Sequence, residues 1–152
     1  GYRELNDELQ EHYISEDQSV SLPVPPLHGI FILKLLSWDD KKPDREKDLV
    51  DLYQMVDNYW AFVSDEAYEK HLDLFTDDFE SETAAARILG RHLKKTLSKS
   101  NVLRDKVLSI LEHQSSSIDE PELMMLKFAE QGDLTLERVK QLMEEVIKGI
   151  KE

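Results

Sequence analysis

Apolar and polar positions divide the chain into a polar lead, a short alternating stretch and a long series of helical stripes. Residues 1–12 have little hydrophobic content and read as a short polar helix. Tyr13-Ile14-Ser15 and Val20-Ser21-Leu22-Pro23-Val24 alternate apolar and polar around the turn-like Glu16-Asp17-Gln18-Ser19, which predicts a hairpin of short strands. Pro23, Pro25 and Pro26 confine such a hairpin to an edge or a terminus, because proline cannot donate to a ladder. Everything after Pro26 reads as helix, and Pro26 suits a first helical turn, where its missing N–H is not needed. Ile30-Phe31-Ile32-Leu33-Lys34-Leu35-Leu36 is apolar almost all round, so this helix is expected to be central and buried, with residues 38–43 closing it and forming a loop. Leu49, Leu52, Tyr53, Val56 and Trp60 recur at steps of three and four and predict a second helix. Further helices are expected near 63–75, 81–97, 100–113, 120–130 and 135–151. The last is the best marked, with Thr135 as N-cap, Glu137 in the first turn and a stripe of Leu136, Val139, Met143, Val146 and Ile150. If exposed, that stripe would demand a partner chain.

The pattern therefore predicts a mainly α fold: a helical bundle with a short β-hairpin or strand element near the N-terminus. Composition adds limits. The 152 residues fit one domain, and an apolar content of 40% is enough for a core. No run reaches the roughly 20 apolar residues of a membrane span. The first residues carry no basic-plus-apolar leader, so a cytoplasmic protein without a membrane partner is expected. Cysteine is absent, which removes disulfides, thiolate metal sites and cysteine nucleophiles together.

Charge is uneven around a net −13. Residues 61–90 hold eight acids against Lys70 and Arg87, whereas residues 91–120 set Arg91, Lys94, Lys95, Lys99, Arg104 and Lys106 against four acids. A local basic strip can touch phosphates on an acidic protein, but the solvated face of two helices explains it as well, and that is the expectation here.

The chemistry centres on Lys34. A lysine inside an apolar helix either snorkels to a surface or is held for chemistry, and it needs a nearby carboxylate in either case. Arg45, Lys47, Asp48 and Asp51 supply a compact R-x-K-D-x-x-D cluster at the start of the next helix, where backbone N–H groups also attract anions. On a helical wheel Asp48 falls at the edge of the apolar stripe and Asp51 further out, so Asp48 is expected to face a neighbouring helix and Asp51 a rim. Metal chemistry is the poorer reading. Asp39-Asp40 looks like a solvated turn, Asp77-Asp78 like an N-capping pair, and the five histidines show neither H-x-x-x-H nor triad spacing. Small residues Ala85, Ala86 and Gly90 predict close helix packing, and Arg87 and Arg91, one turn apart, are expected to pair with the acids at 77–82.

Three phrases, Pro26-Leu27-His28-Gly29, Lys34-Leu35-Leu36-Ser37-Trp38-Asp39-Asp40 and Arg45-Glu46-Lys47-Asp48-Leu49-Val50-Asp51-Leu52, resemble the downstream half of the AbiEii toxin-like nucleotidyltransferases, a branch of the polymerase-beta-like superfamily. The Ala86–Arg91 phrase fits the same group, and the likeness covers roughly residues 1–112. It implies that residues 1–60 are the remnant of a nucleotidyltransferase domain and 61–152 a helical C-terminal domain. It further implies that Lys34 contacts nucleotide phosphates, that Asp48 positions this lysine at the reaction centre, and that Arg45, Lys47 and Asp51 are candidate phosphate-binding residues. The complete enzyme would use Mg2+ and an NTP to modify an RNA such as tRNA or a protein, with an antitoxin as a candidate partner. The family's glycine-serine loop and paired metal-binding aspartates are missing from these residues, so the chain reads as a fragment or a shortened relative. Alone it is expected to hold no cofactor and to be inactive. The rival reading is a non-catalytic module that binds a partner protein.

Overall fold

The computed structural model describes residues 26–152, and the hairpin expected at 13–24 and the polar helix at 1–12 lie outside them. Six α-helices follow in order: α1 (Leu27–Asp40), α2 (Glu46–Lys70), α3 (Ser81–Leu97), α4 (Asn101–Gln114), α5 (Leu123–Gly132) and α6 (Leu136–Lys151). Single 3₁₀ turns at Lys42–Arg45 and Leu72–Leu74 join α1 to α2 and follow α2. No strand occurs among the described residues. The architecture is a mainly α helical bundle, and none of its helices is long and apolar enough to cross a membrane.

Helix α1 is central, as its all-round apolar run requires. Phe31, Ile32, Leu35, Leu36 and Trp38 are buried. Pro26 stands at the N-cap rather than inside the first turn, and its carbonyl accepts from the Gly29 and Ile30 N–H groups. The helix also runs two residues past Trp38, because that indole is 1% exposed and remains part of the packed face.

The largest departure is in α2. Two helices were expected on either side of residues 61–62, but one helix of 25 residues spans both. Neither glycine nor proline interrupts 44–89. The buried stripe Leu49, Leu52, Val56, Tyr59, Val63 and Ala67 continues in steps of three and four, so nothing stops the helix before His71. Residue 60, where the sequence suggested a domain division, lies inside this helix. One hydrophobic core takes residues from both sides of it, from Phe31 to Ile150.

The most extensive packing in the bundle is α3 against α6. The apolar stripe of α6 is covered there: Val139, Leu142, Met143, Val146, Ile147 and Ile150 are all buried. Each such side chain contributes roughly 1.5–3 kcal/mol of burial. The partner this stripe demands is thus supplied within the chain, and the observation that motivated an external partner is removed. Close approach depends on two glycines. A Cβ added to Gly90 would sit 2.1 Å from the Val146 carbonyl oxygen, and one on Gly149 would sit 2.3 Å from that of Arg87.

Helix starts follow local chemistry in part. The Thr135 hydroxyl accepts from the Arg138 N–H at 3.1 Å, and Ser100 does the same for Leu103 at 3.2 Å. Asp77 and Asp78 do not cap α3. Glu80 is its N-cap residue, and the Glu80 side chain makes no capping hydrogen bond.

Candidate functional site

Two polar networks break the apolar interior, one near each end of α2. The first is built from α1 and the opening of α2. Lys34 lies on the rim of the apolar helix, and its ammonium, about one-third exposed, donates to Asp51 at 2.8 Å. Asp48 is 3.6 Å away. The Asp51 hydrogen bond, opposed by burial and helped by both carboxylates, holds the ammonium above its ordinary pKa. Lys34 is therefore a firmly protonated cation.

Asp48 is almost fully buried, as the wheel placed it, but its main partner is not Lys34. The Arg45 guanidinium grips it in a two-pronged contact, Nε to Oδ2 at 2.8 Å and Nη2 to Oδ1 at 3.2 Å. That grip, aided further by Lys34 and resisted by burial, pulls the Asp48 carboxyl below the usual carboxylate range. Asp51 stays at the rim, with a quarter of its side chain exposed. Lys47 is exposed and makes no ion pair among the described residues. The structure thus gathers Lys34, Asp48, Asp51 and Arg45 into one four-membered chain and leaves Lys47 outside it.

Lys34 and Asp51 also line an open groove of about 460 Å³ between α1 and α2, together with Leu27, Gln54, Met55, Asn58, Ala61 and Phe62. Four charges of the network sum to zero, so the groove end is polar and ordered, with one hydrogen-bond-donating cation facing outward.

The second network was not legible from spacing. Tyr59 and Glu66 come from α2, His71 from the residue after it, Asp73 from the following turn, His92 and Arg91 from α3. Glu66 Oε2 lies 2.7 Å from Nε2 of His71 and 2.7 Å from Nε2 of His92. Arg91 Nη1 lies 2.8 Å from His71 Nδ1. A guanidinium can only donate, so His71 Nδ1 accepts and its Nε2–H donates to Glu66. His92 likewise donates from Nε2 to the carboxylate, and its Nδ1 accepts from the Tyr59 hydroxyl at 2.5 Å. Burial lowers the His92 pKa despite Glu66, which keeps the ring neutral. Burial also raises Tyr59 far above the ordinary phenol range. For Glu66 burial pushes upward, but the two imidazole hydrogen bonds prevail and leave the carboxyl below its usual value.

Arg91 continues the network outward to Asp73, at 2.6 Å through Nη2, and to Glu152 at 2.8 Å through Nε. Arg87 bonds Glu145 at 3.2 Å and Glu152 at 2.5 Å, and Lys94 donates to the Glu152 main-chain carbonyl. The two arginines do not pair with 77–82 as expected. They point to the α6 end and to the turn after α2, because the α3–α6 crossing brings Glu145 and Glu152 within reach.

Glu66, His71 and His92 are ligand types whose donor atoms lie within 4.8 Å of one another. Metal bound at His71 Nε2 would move that ring's proton to Nδ1, where the Arg91 N–H already points. Two donors would then face each other. The arrangement fits two protons shared with one carboxylate and does not fit a metal ion. No family model, curated protein or solved structure matches this chain.

Proposed function

We propose that this chain is the nucleotide-contacting, helical portion of a nucleotidyltransferase, which in complete form would move a nucleotidyl group from an NTP to an RNA or protein acceptor. The observation that carries the reading is the placement of Lys34. An ammonium on an otherwise apolar helix is brought to the edge of an open groove, fixed at 2.8 Å by Asp51, with Asp48 behind it at 3.6 Å. Asp51 is the exposed and exchangeable partner, and Asp48 is tied down by Arg45. A phosphate oxygen arriving at the rim can replace the Asp51 contact while Asp48 keeps the lysine aimed. Asp48 is then a positioning residue, Arg45 anchors it, and Lys47 and Asp51 flank the phosphate path.

The catalytic magnesium ions would need carboxylates that these residues do not include in the family's pattern, since the sequence has no D-x-D pair after a glycine-serine loop. The chain as given is accordingly expected to bind nucleotide weakly and to transfer nothing. Calorimetric titration with Mg-NTPs tests the reading. Binding that drops at least tenfold in Lys34→Met supports it, whereas equal binding in Lys34→Met and the parent chain removes the proposed role of this lysine.

A further inference from the structure

We infer that the groove between α1 and α2 is a nucleobase subsite, in which Phe62 is the stacking ring, the Asn58 amide meets the base edge and the Gln54 amide meets the sugar. This rests on the nucleotide reading of Lys34 given above. The groove wall on α2 is formed by Asp51, Gln54, Met55, Asn58 and Phe62, which recur at steps of three, one, three and four. Those positions cluster within about 60° of one line on the helix surface, well away from the core-facing stripe. α2 thus carries a second stripe, and it is chemically graded along its length. Its first turns hold Asp51 against Lys34, its middle holds two amides, and its far end holds an aromatic ring.

That order matches the order of groups in a nucleoside triphosphate. Asp51 and Phe62 are eleven residues apart, about 16 Å along a helix axis, a span suited to an extended nucleotide. Phe62 is 68% exposed, so one large aromatic face is left in water beside the groove. Stacking of a base on such a ring is tolerant of base identity and needs no buried charge. The amides are positioned to add hydrogen bonds. Asn58 donates from Nδ2 to the Gln54 main-chain oxygen at 2.8 Å, which fixes its amide plane and leaves Oδ1 open. Among the described residues the Gln54 side-chain amide makes no hydrogen bond. Each amide offers a donor or acceptor, Asn58 to a base edge and Gln54 to a sugar hydroxyl. The volume lies within the range of small-ligand sites.

The test is calorimetric titration of the full chain with Mg-ATP, Mg-GTP, Mg-CTP and Mg-UTP, and in parallel with inorganic tripolyphosphate, which has the phosphates without a base. At least one NTP should bind more tightly than tripolyphosphate. Phe62→Ala should weaken that NTP about tenfold, in line with the loss of one stacked base, and leave tripolyphosphate unchanged. Phe62→Trp should restore the NTP affinity. Thermal melting of Phe62→Ala should match the parent, because the ring buries little. If Phe62→Ala binds every NTP as the parent does, or loses tripolyphosphate equally, the base subsite is wrong. A Lys34-dependent NTP affinity that survives such a result keeps the functional proposal intact. Absence of any NTP binding overturns both.

Discussion

The two polar networks use similar groups and reach opposite results. The Lys34 network is assembled from residues close in sequence, Arg45 and Asp48 in one turn and Asp51 in the next, with only Lys34 coming from another helix. It ends at a groove, and its outer partner, Asp51, is partly wet. The Glu66 network is assembled from α2, α3, the turn after α2 and the end of α6. Each imidazole nitrogen of His71 and His92 is taken: by Glu66 and Arg91 on one ring, by Glu66 and Tyr59 on the other. A network whose imidazole nitrogens are all taken by protein groups holds helices together. One that keeps an exchangeable contact at a surface can take a ligand. The difference locates the candidate chemistry at the first turns of α2 and the structural lock toward its C-terminal end.

Breaking the support of the lock should have the largest effect. Arg87 and Arg91 reach Glu152 only because α3 and α6 nearly touch at Gly90 and Gly149. Gly90→Val places a branched side chain where even a single Cβ collides with backbone at 2.1 Å. Backbone cannot yield as a flexible side chain does, so a loss of about 3 kcal/mol or more is expected. Chemical denaturation should show a lower midpoint or no cooperative transition at all. A variant as stable as the parent would mean the helices do not cross this closely.

Removing the hub comes next. Glu66→Ala leaves the His71 and His92 Nε2–H groups without an acceptor in a partly buried setting. The expected cost is about 2 kcal/mol, the usual penalty for such orphaned groups. Denaturation of Glu66→Ala beside Asp51→Ala sharpens the contrast: the first should lose clearly more, since Glu66 accepts from two imidazoles and Asp51 from one ammonium. Equal losses would erase the distinction between lock and groove.

The fold was largely legible because the governing signal is local. Helices 81–97, 100–113, 120–130 and 135–151 were expected from periodicity and are found at Ser81–Leu97, Asn101–Gln114, Leu123–Gly132 and Leu136–Lys151. Length was harder to read: separate helices were expected through Trp60 and near 63–75, but exposed Ala61 and Phe62 merely turn outward on an uninterrupted helix. The Lys34 cluster was also visible, since its acids lie 14 and 17 positions on, in the helix that follows. The ranking of partners was not. Only coordinates place Asp51 nearer than Asp48, because that depends on where α1 sits along α2. The Glu66 lock left no trace in spacing. Separations of 5 and 26 residues from Glu66 to the two histidines match no ligand or triad pattern, and its geometry is set by the α2–α3 packing. Gly149 was passed over as one of a few glycines, and nothing before the fold marks it as the partner of Gly90.

Acid should separate the networks by pH as well. Burial places the His92 pKa below 6.5 in the fold, so the unfolded chain binds more protons than the native one as pH falls through 6.5. Stability therefore drops from that point downward, until the native ring also titrates. In the Lys34 network the depressed group is Asp48, whose contribution is full above its ordinary 3.8 and is lost only as pH falls below it. Melting temperature measured from pH 7.5 to 5 should decline in the parent and be flatter in His92→Gln, which keeps polar contacts but cannot titrate in this range. A parallel decline in both would place the acid sensitivity elsewhere.

The smallest stability effect is expected at the residue on which the function depends most. In Lys34→Met the apolar helix gains a compatible side chain, Asp48 retains both bonds from Arg45, and Asp51 is already partly in water. Partly exposed ion pairs contribute about 0–1 kcal/mol, so the melt should move by little or nothing in either direction. NTP affinity should nevertheless fall. A variant that folds as the parent does yet binds nucleotide poorly marks a group held for a ligand. If Lys34→Met instead loses stability on the scale of Glu66→Ala, the lysine is a structural pin. The two ends of α2 would then differ in position and not in kind.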